Sequence, residues 1–208
     1  MKEEQAIVYV IDDDESAREA VTDLLRSVGH KVQSFGSALE FLDNTRPDAP
    51  GCIVLDVRLP GPSGLEFQRM LTKTNILLPI IFISGHGDIP MSVRAIKSGA
   101  LEFLTKPLQE QQLLDSVQAG VQHDRARREE AKVVGKLRER FASLTQRERD
   151  VLELVVSGRR NKQIAGDLGL SEMTVKVHRS HIMQKMRANS VIDLVRMADR
   201  LGIASKSS

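Results

Sequence analysis

The chain has 208 residues, 41% of them apolar, a net charge of +2 and a single cysteine. That is material for one large or two small cores; it excludes an internal disulfide, and no apolar run approaches the ~20 residues a membrane helix needs. The opening MKEEQ lacks a signal peptide's basic start and apolar middle, so a cytoplasmic protein with no membrane partner is expected.

Along residues 1–122, strand-like and helix-like segments alternate. IVYVID precedes SAREAVTDLLRSVG, KVQSF precedes SALEFLDNT, and CIVLDV leads through a Pro/Gly loop to GLEFQRMLTKT. PIIFISG precedes MSVRAIKSG, and LEFLTK precedes QEQQLLDSVQAGVQ. Short, almost continuously apolar strands between amphipathic helices predict an α/β doubly wound domain with a five-stranded parallel sheet covered on both faces. Cys52 lies within an apolar run and reads as a buried thiol.

Residues 123–143 are rich in charge and in helix formers, with no proline. A solvated helical linker is the plain reading. Val117, Val121, Val134, Leu137 and Phe141 give a partial apolar seam, so a dimeric coiled coil stays open beside it. From Leu144 to the end, over residues 144–208, the segments LTQRERDVLELVVSG, NKQIAGDLG, SEMTVKVHRSHIMQKM and SVIDLVRMADRLG predict a small all-α domain. The second and third are joined by GLS, with Ser171 placed to cap the third, which is a helix-turn-helix signal. Charge separates the halves: 11 Lys/Arg against 17 Asp/Glu in residues 1–122, a net of −6, and 19 against 11 thereafter, a net of +8. The basic half is the one expected to face a polyanion.

Four consecutive acids, Asp12 to Glu15, follow the first strand. Asp14 and Glu15 are accounted for by the start of the next helix, where negative charge is favourable. Helix capping does not account for Asp56, Ser84 and Lys106 at the ends of the third, fourth and fifth strands. In an open α/β sheet the ligand site lies beyond those carboxyl ends, where the strand order reverses. Carboxylates converging there form a hard oxygen site suited to Mg²⁺, which offsets their mutual repulsion.

The motifs IDDD, LDVRLPGPSG, ISGHGD and FLTKP resemble the receiver domain of bacterial two-component response regulators, and the match covers the ends of the first, third, fourth and fifth strands. The resemblance implies that Asp56 is the phosphoacceptor, a carboxylate nucleophile loaded by a sensor histidine kinase. It implies a Mg²⁺ site formed by Asp13 and Asp56 side chains and the Arg58 backbone carbonyl, with Asp12 acting through water. It also makes Lys106 a phosphoryl-binding cation, Ser84 and Phe103 a switch pair, and Lys106–Pro107 a cis bond that aims Lys106 inward. His86 reads as a surface loop histidine. Leu59, Pro62 and Leu108 depart from the family's usual methionines and phenylalanine and bear on partner surfaces only.

The basic half resembles the LuxR-type helix-turn-helix, and the whole chain is similar to FixJ-type transcription regulators of the NarL/FixJ family. On helical spacing Val175, Ile182 and Met186 share an inward face, while Met173, Lys176, Val177, Ser180 and Gln184 face out. Such a surface fits a helix in the major groove of a double-stranded DNA operator. By resemblance Lys176, Val177 and Ser180 are base-contact candidates, and Lys162, Thr174, Arg179 and Lys185 are phosphate contacts that position without selecting. His178 reads as a packed histidine hydrogen-bonded between helices. The last helix, with Val191, Leu194, Val195, Ala198 and Leu201, divides between core and dimer interface. Activation by homodimerisation on phosphorylation is expected, with RNA polymerase as a further candidate partner and release of a masked DNA-binding domain as an alternative route. A phosphatase with an aspartyl-phosphate intermediate would need a second Asp two residues after the nucleophile, where Arg58 stands, so no enzyme activity is expected.

Overall fold

A computed structural model describes residues 5–85 and 89–203; His86 lies outside them. Packing divides the chain into two units, the first ending at Arg128 and the second beginning at Glu129. No helix among the described residues is long and apolar enough to cross a membrane.

In the first unit, strands β1 (Ile7–Ile11), β2 (Lys31–Phe35), β3 (Gly51–Asp56), β4 (Ile80–Ser84) and β5 (Glu102–Thr105) pair in parallel in the order β2-β1-β3-β4-β5. The connecting helices are α1 (Glu15–Ser27), α2 (Ala38–Asp43), α3 (Gly64–Lys73) and α4 (Ile89–Lys97), followed by α5 (Glu110–Ala142), which begins in this unit and ends in the other. Strands β1, β3 and β4 are buried along their whole length because both faces are covered. Successive side chains point to opposite faces. Ile7, Tyr9, Ile11, Ile53, Leu55 and Phe82 therefore fill one core, and Val8, Val10, Val54, Ile81 and Ile83 the other. Each such residue contributes roughly 1.5–3 kcal/mol against an exposed reference. The chain leaves β1 to one side for β2 and reaches β3 on the other, so the order reverses at β1 and β3. Asp12 and Asp56 stand at the carboxyl ends of those two strands.

Local chemistry sets the helix starts. Asp14 caps α1 by accepting from Ala17 N–H at 3.1 Å, and Ser63 forms a capping box with Glu66 at α3. The Lys106–Pro107 bond is cis, as the resemblance implied. Cys52 is wholly buried, and desolvation pushes its thiol up to about 12.

One feature of the charged stretch was not legible from composition. Asp124 is completely buried. Its carboxylate accepts from Gly51 N–H at 3.1 Å, from Arg127 Nε and Nη2 at 2.9 and 2.6 Å, and from Arg128 Nε at 2.7 Å. Arg128 also pairs with Asp48. A buried carboxylate is tolerable when its lone pairs are filled by N–H donors and cations, and here two guanidinia do so.

The second unit contains the end of α5 together with α6 (Gln146–Val156), α7 (Asn161–Leu168), α8 (Glu172–Met186) and α9 (Val191–Arg200). Leu144, Val151, Leu152, Val155, Ile164, Val175, Ile182, Met186 and Leu194 form its core. Thr145 and Glu148 make a capping box at α6, Gly169 ends α7 at φ 64°, and Ser171 accepts from Thr174 N–H to start α8. A glycine suits that left-handed position because it has no Cβ to clash.

Charge sets the limits 1–122, 123–143 and 144–208; the packing division after Arg128 falls within the middle segment, whose start Asp124 ties to β3 through Gly51. The residues of the apolar seam pack within the chain. Val117 and Val121 lie in the first unit's core, Leu137 is buried, and Phe141 packs against the second core. Val134, between them, is half-buried.

Candidate functional site

Three carboxylates meet at the sheet's switch point. Ligand oxygens of Asp12, Asp13 and Asp56 all lie within 4.8 Å of one another; Asp12 and Asp56 are buried and Asp13 is exposed. Lys106, from just beyond β5, places Nζ 2.9 Å from Asp12 Oδ2 and 3.0 Å from Asp56 Oδ1. Backbone N–H groups of Asp14 and Arg58 donate to Asp12 Oδ1 at 3.0 Å and Asp56 Oδ2 at 2.6 Å. Arg18 Nη1 braces the turn by bonding the Asp12 carbonyl at 2.7 Å. Two buried anions this close repel by about 3 kcal/mol at an effective dielectric near 20. One ammonium shared between them is what the chain itself supplies against that.

Burial pushes the Asp56 carboxyl above the ordinary value, against the pull of the Lys106 and Arg58 hydrogen bonds. Burial draws Lys106 down, but the bonds and charges of Asp12 and Asp56 outweigh it, leaving the ammonium more firmly protonated. The pair is therefore a nucleophile of carboxylate type beside a fixed positive charge.

Ser84 ends β4 almost fully buried, and its carbonyl accepts from Lys106 N–H at 2.8 Å. Phe103 lies on β5 beside Phe82, with ring centroids 6.4 Å apart, and is half-buried. Asp12, Asp13, Asp56 and Lys106 thus converge directly; Arg58 touches the site through its backbone, and Ser84 borders it at the next strand end.

In the second unit, Val175, Ile182 and Met186 of α8 are buried. Lys176, Val177, Ser180 and Gln184 are exposed on the other side, with Met173 68% exposed. Lys162 is exposed near the start of α7. The remaining phosphate candidates have partners of their own. The Thr174 hydroxyl meets Ser171 Oγ at 2.8 Å, and Arg179 Nη1 donates to Asn161 Oδ1 at 3.0 Å. Lys185, also expected to meet phosphate, is held from within the domain: Nζ donates to Glu148 Oε2 at 2.6 Å. Glu148 is 3% exposed, so releasing that ammonium to DNA would strand a buried charge. His178 is corrected in part, since it packs half-buried but its buried Nδ1 has no hydrogen-bond partner among the described residues.

Glu148 is the residue that sequence reasoning missed. The pattern Thr145-x-x-Glu148 signals a capping box, which explains its bond from Thr145 N–H at 2.8 Å. Only the packing of α8 across α6 brings Lys185, and His181 at 3.7 Å, to the same carboxylate.

Against this geometry, comparison with known proteins is specific. The profile of the response regulator receiver domain matches residues 8–118, and that of the bacterial regulatory proteins of the luxR family matches residues 142–198. The chain belongs to the FixJ-type response regulators. Nodulation protein W of Bradyrhizobium diazoefficiens is 54% identical over 201 residues, covering 97% of this chain and 88% of that protein. The transcriptional regulatory protein FixJ of Azorhizobium caulinodans is 46% identical over 200 residues, covering 95% and 93%. The solved structure of the response regulator StyR superposes with a TM-score of 0.80 at 49% identity, covering 94% of this chain and 99% of that one. This response regulator therefore joins a receiver to a LuxR-type DNA-binding domain, as transcription regulators of two-component systems do.

Proposed function

We propose that a sensor histidine kinase loads Asp56 of this response regulator, and that the phosphorylated chain dimerises and binds a double-stranded DNA operator. The observation that carries the reading is the meeting of the Asp12, Asp13 and Asp56 carboxylates, with the Lys106 ammonium bound between Asp12 and Asp56. An Asp56 carboxylate oxygen attacks phosphorus, the P–N bond to the kinase's imidazole breaks, and the imidazole leaves as the phosphoryl group becomes an acyl phosphate. Lys106, already 3.0 Å from Asp56, holds the developing negative charge.

The donor set fits a hard divalent cation, because buried carboxylates of like charge face one another with one lysine between them. Asp13, Asp56 and the Arg58 carbonyl would hold Mg²⁺, with Asp12 acting through water; when bound it neutralises phosphoryl oxygens. Ser84 then donates to the new acceptor oxygens, and its movement opens space for Phe103 to turn inward. That pair relays the change to α4 and β5, the face proposed to dimerise. On α8, Lys176, Val177 and Ser180 read base edges, while Thr174, Arg179 and Lys185 of that helix and Lys162 of α7 bind phosphates, Lys185 without leaving Glu148. The chain works in the cytoplasm, RNA polymerase is a candidate partner, and the reading calls for no catalytic turnover.

Incubation with a phosphodonor should give an acid-stable, base-labile label on the wild type and none on Asp56→Asn. An unlabelled wild type, or equal label on both, overturns the assignment.

A further inference from the structure

The luxR-family match begins at residue 142, whereas the second compact unit begins at Glu129. The turns of α5 in between are built into that unit. Leu137 is 4% exposed, and Phe141 packs against the core. The Arg149 guanidinium of α6 lies 5.2 Å over the Phe141 ring and donates to the Ala142 carbonyl at 3.1 Å. These contacts fix the end of α5 as a wall of the domain and not as a tether.

From that wall, Arg140 Nη1 donates at 3.3 Å to the carbonyl of Met186, the last residue of α8. The last carbonyls of a helix lack intrahelical donors, and a cation there also meets the negative end of the helix dipole. Gln184 and Met183 carbonyls are filled by Arg187 and Ala188 N–H, and Arg140 serves the Met186 carbonyl. Lys185, one residue earlier, is held by Glu148 of α6. Two helices therefore grip the same end of α8.

We infer that the last turns of α5 are a working part of the DNA-binding domain and that Arg140 is a positioning residue for α8. The inference rests on reading α8 as the recognition helix. Lys176 and Ser180 stand six to ten residues before Met186, or roughly 9–15 Å along the axis. Over that lever a tilt of about 5° moves a side-chain root by about 1 Å, more than the ~0.5 Å within which a binding constellation must be held. Arg140 thus acts on base recognition without touching DNA.

The test uses the full chain, phosphorylated at Asp56, and a duplex selected by the wild type from a randomised pool, beside a scrambled duplex of equal length. Arg140→Met should weaken binding to the selected duplex about two- to fivefold relative to the scrambled one, the worth of a cation at a helix C-terminus. The salt dependence should stay unchanged, and Arg140→Lys should recover part of the loss. An unchanged ratio for Arg140→Met overturns the inference. Equal loss on both duplexes with a shallower salt slope also overturns it, by making Arg140 a phosphate contact. A fall in melting temperature with no change in discrimination and no rescue by lysine would make Arg140 merely structural. If the wild type selects no sequence at all, the recognition-helix reading fails first, and the inference falls with it.

Discussion

Replacing Lys106 with methionine keeps an unbranched side chain of similar reach and removes the one charge shared by Asp12 and Asp56. With carboxylate oxygens within 4.8 Å of one another, their repulsion is about 3 kcal/mol at an effective dielectric near 20. The receiver can escape by protonating one acid, and Asp56 is already shifted in that direction by burial. At neutral pH that escape costs about 1.4 kcal/mol for each pH unit above the acid's own value, so it caps the penalty without removing it. We expect Lys106→Met to lose about 2–3 kcal/mol in metal-free buffer, or roughly 10 °C in the receiver's melting temperature. Millimolar Mg²⁺ should return most of it and stabilise the variant more than the wild type. Thermal unfolding followed by circular dichroism, with and without Mg²⁺, measures both. Equal melting of wild type and variant in chelator, or a variant indifferent to the ion, would refute the shared-ammonium account.

The Glu148 carboxyl is pushed up by burial but held below its ordinary value by bonds from Lys185 and Thr145. A lowered carboxyl stabilises the fold fully above the ordinary value near 4.5 and loses that contribution as pH falls through the lower native value. Glu148→Gln should therefore flatten the acid arm of the second unit's unfolding, and an unaltered acid arm would contradict the pairing. Lys185→Ala should destabilise the same unit by about 2 kcal/mol, since it leaves Glu148 buried without its closest cation; chemical denaturation with an unshifted midpoint would count against it. Asp56→Asn should abolish phosphorylation-enhanced dimerisation in sedimentation velocity, and undiminished dimerisation would break the proposed relay. Lys176→Ala should relax one base position by roughly 1–3 kcal/mol in a duplex-variant titration, whereas a loss spread evenly over all sequences would assign it to phosphate.

The elements were legible because their signals are local. Almost continuously apolar strands such as IVYVI and GCIVLD are central in a sheet covered twice, and the strand-end residues Asp12, Asp56, Ser84 and Lys106 then gather at one edge. The helix-turn-helix was equally plain, since Gly169 and Ser171 end one helix and start the next. Pairings between distant residues were not legible. Asp124 looked like one more solvated charge in a charged helix, and Lys185 like one more cation available to DNA.

Period, composition and strand ends prescribe the order of elements, the two charge-separated halves and the members of the acidic cluster. Which charges are spent inside the molecule is settled by packing: Asp124 on Gly51, Arg127 and Arg128, Lys185 on Glu148, and Arg140 on the end of α8. Burial makes the difference. A charge's worth depends on the dielectric and the partners around it, and neither is fixed until the helices have packed.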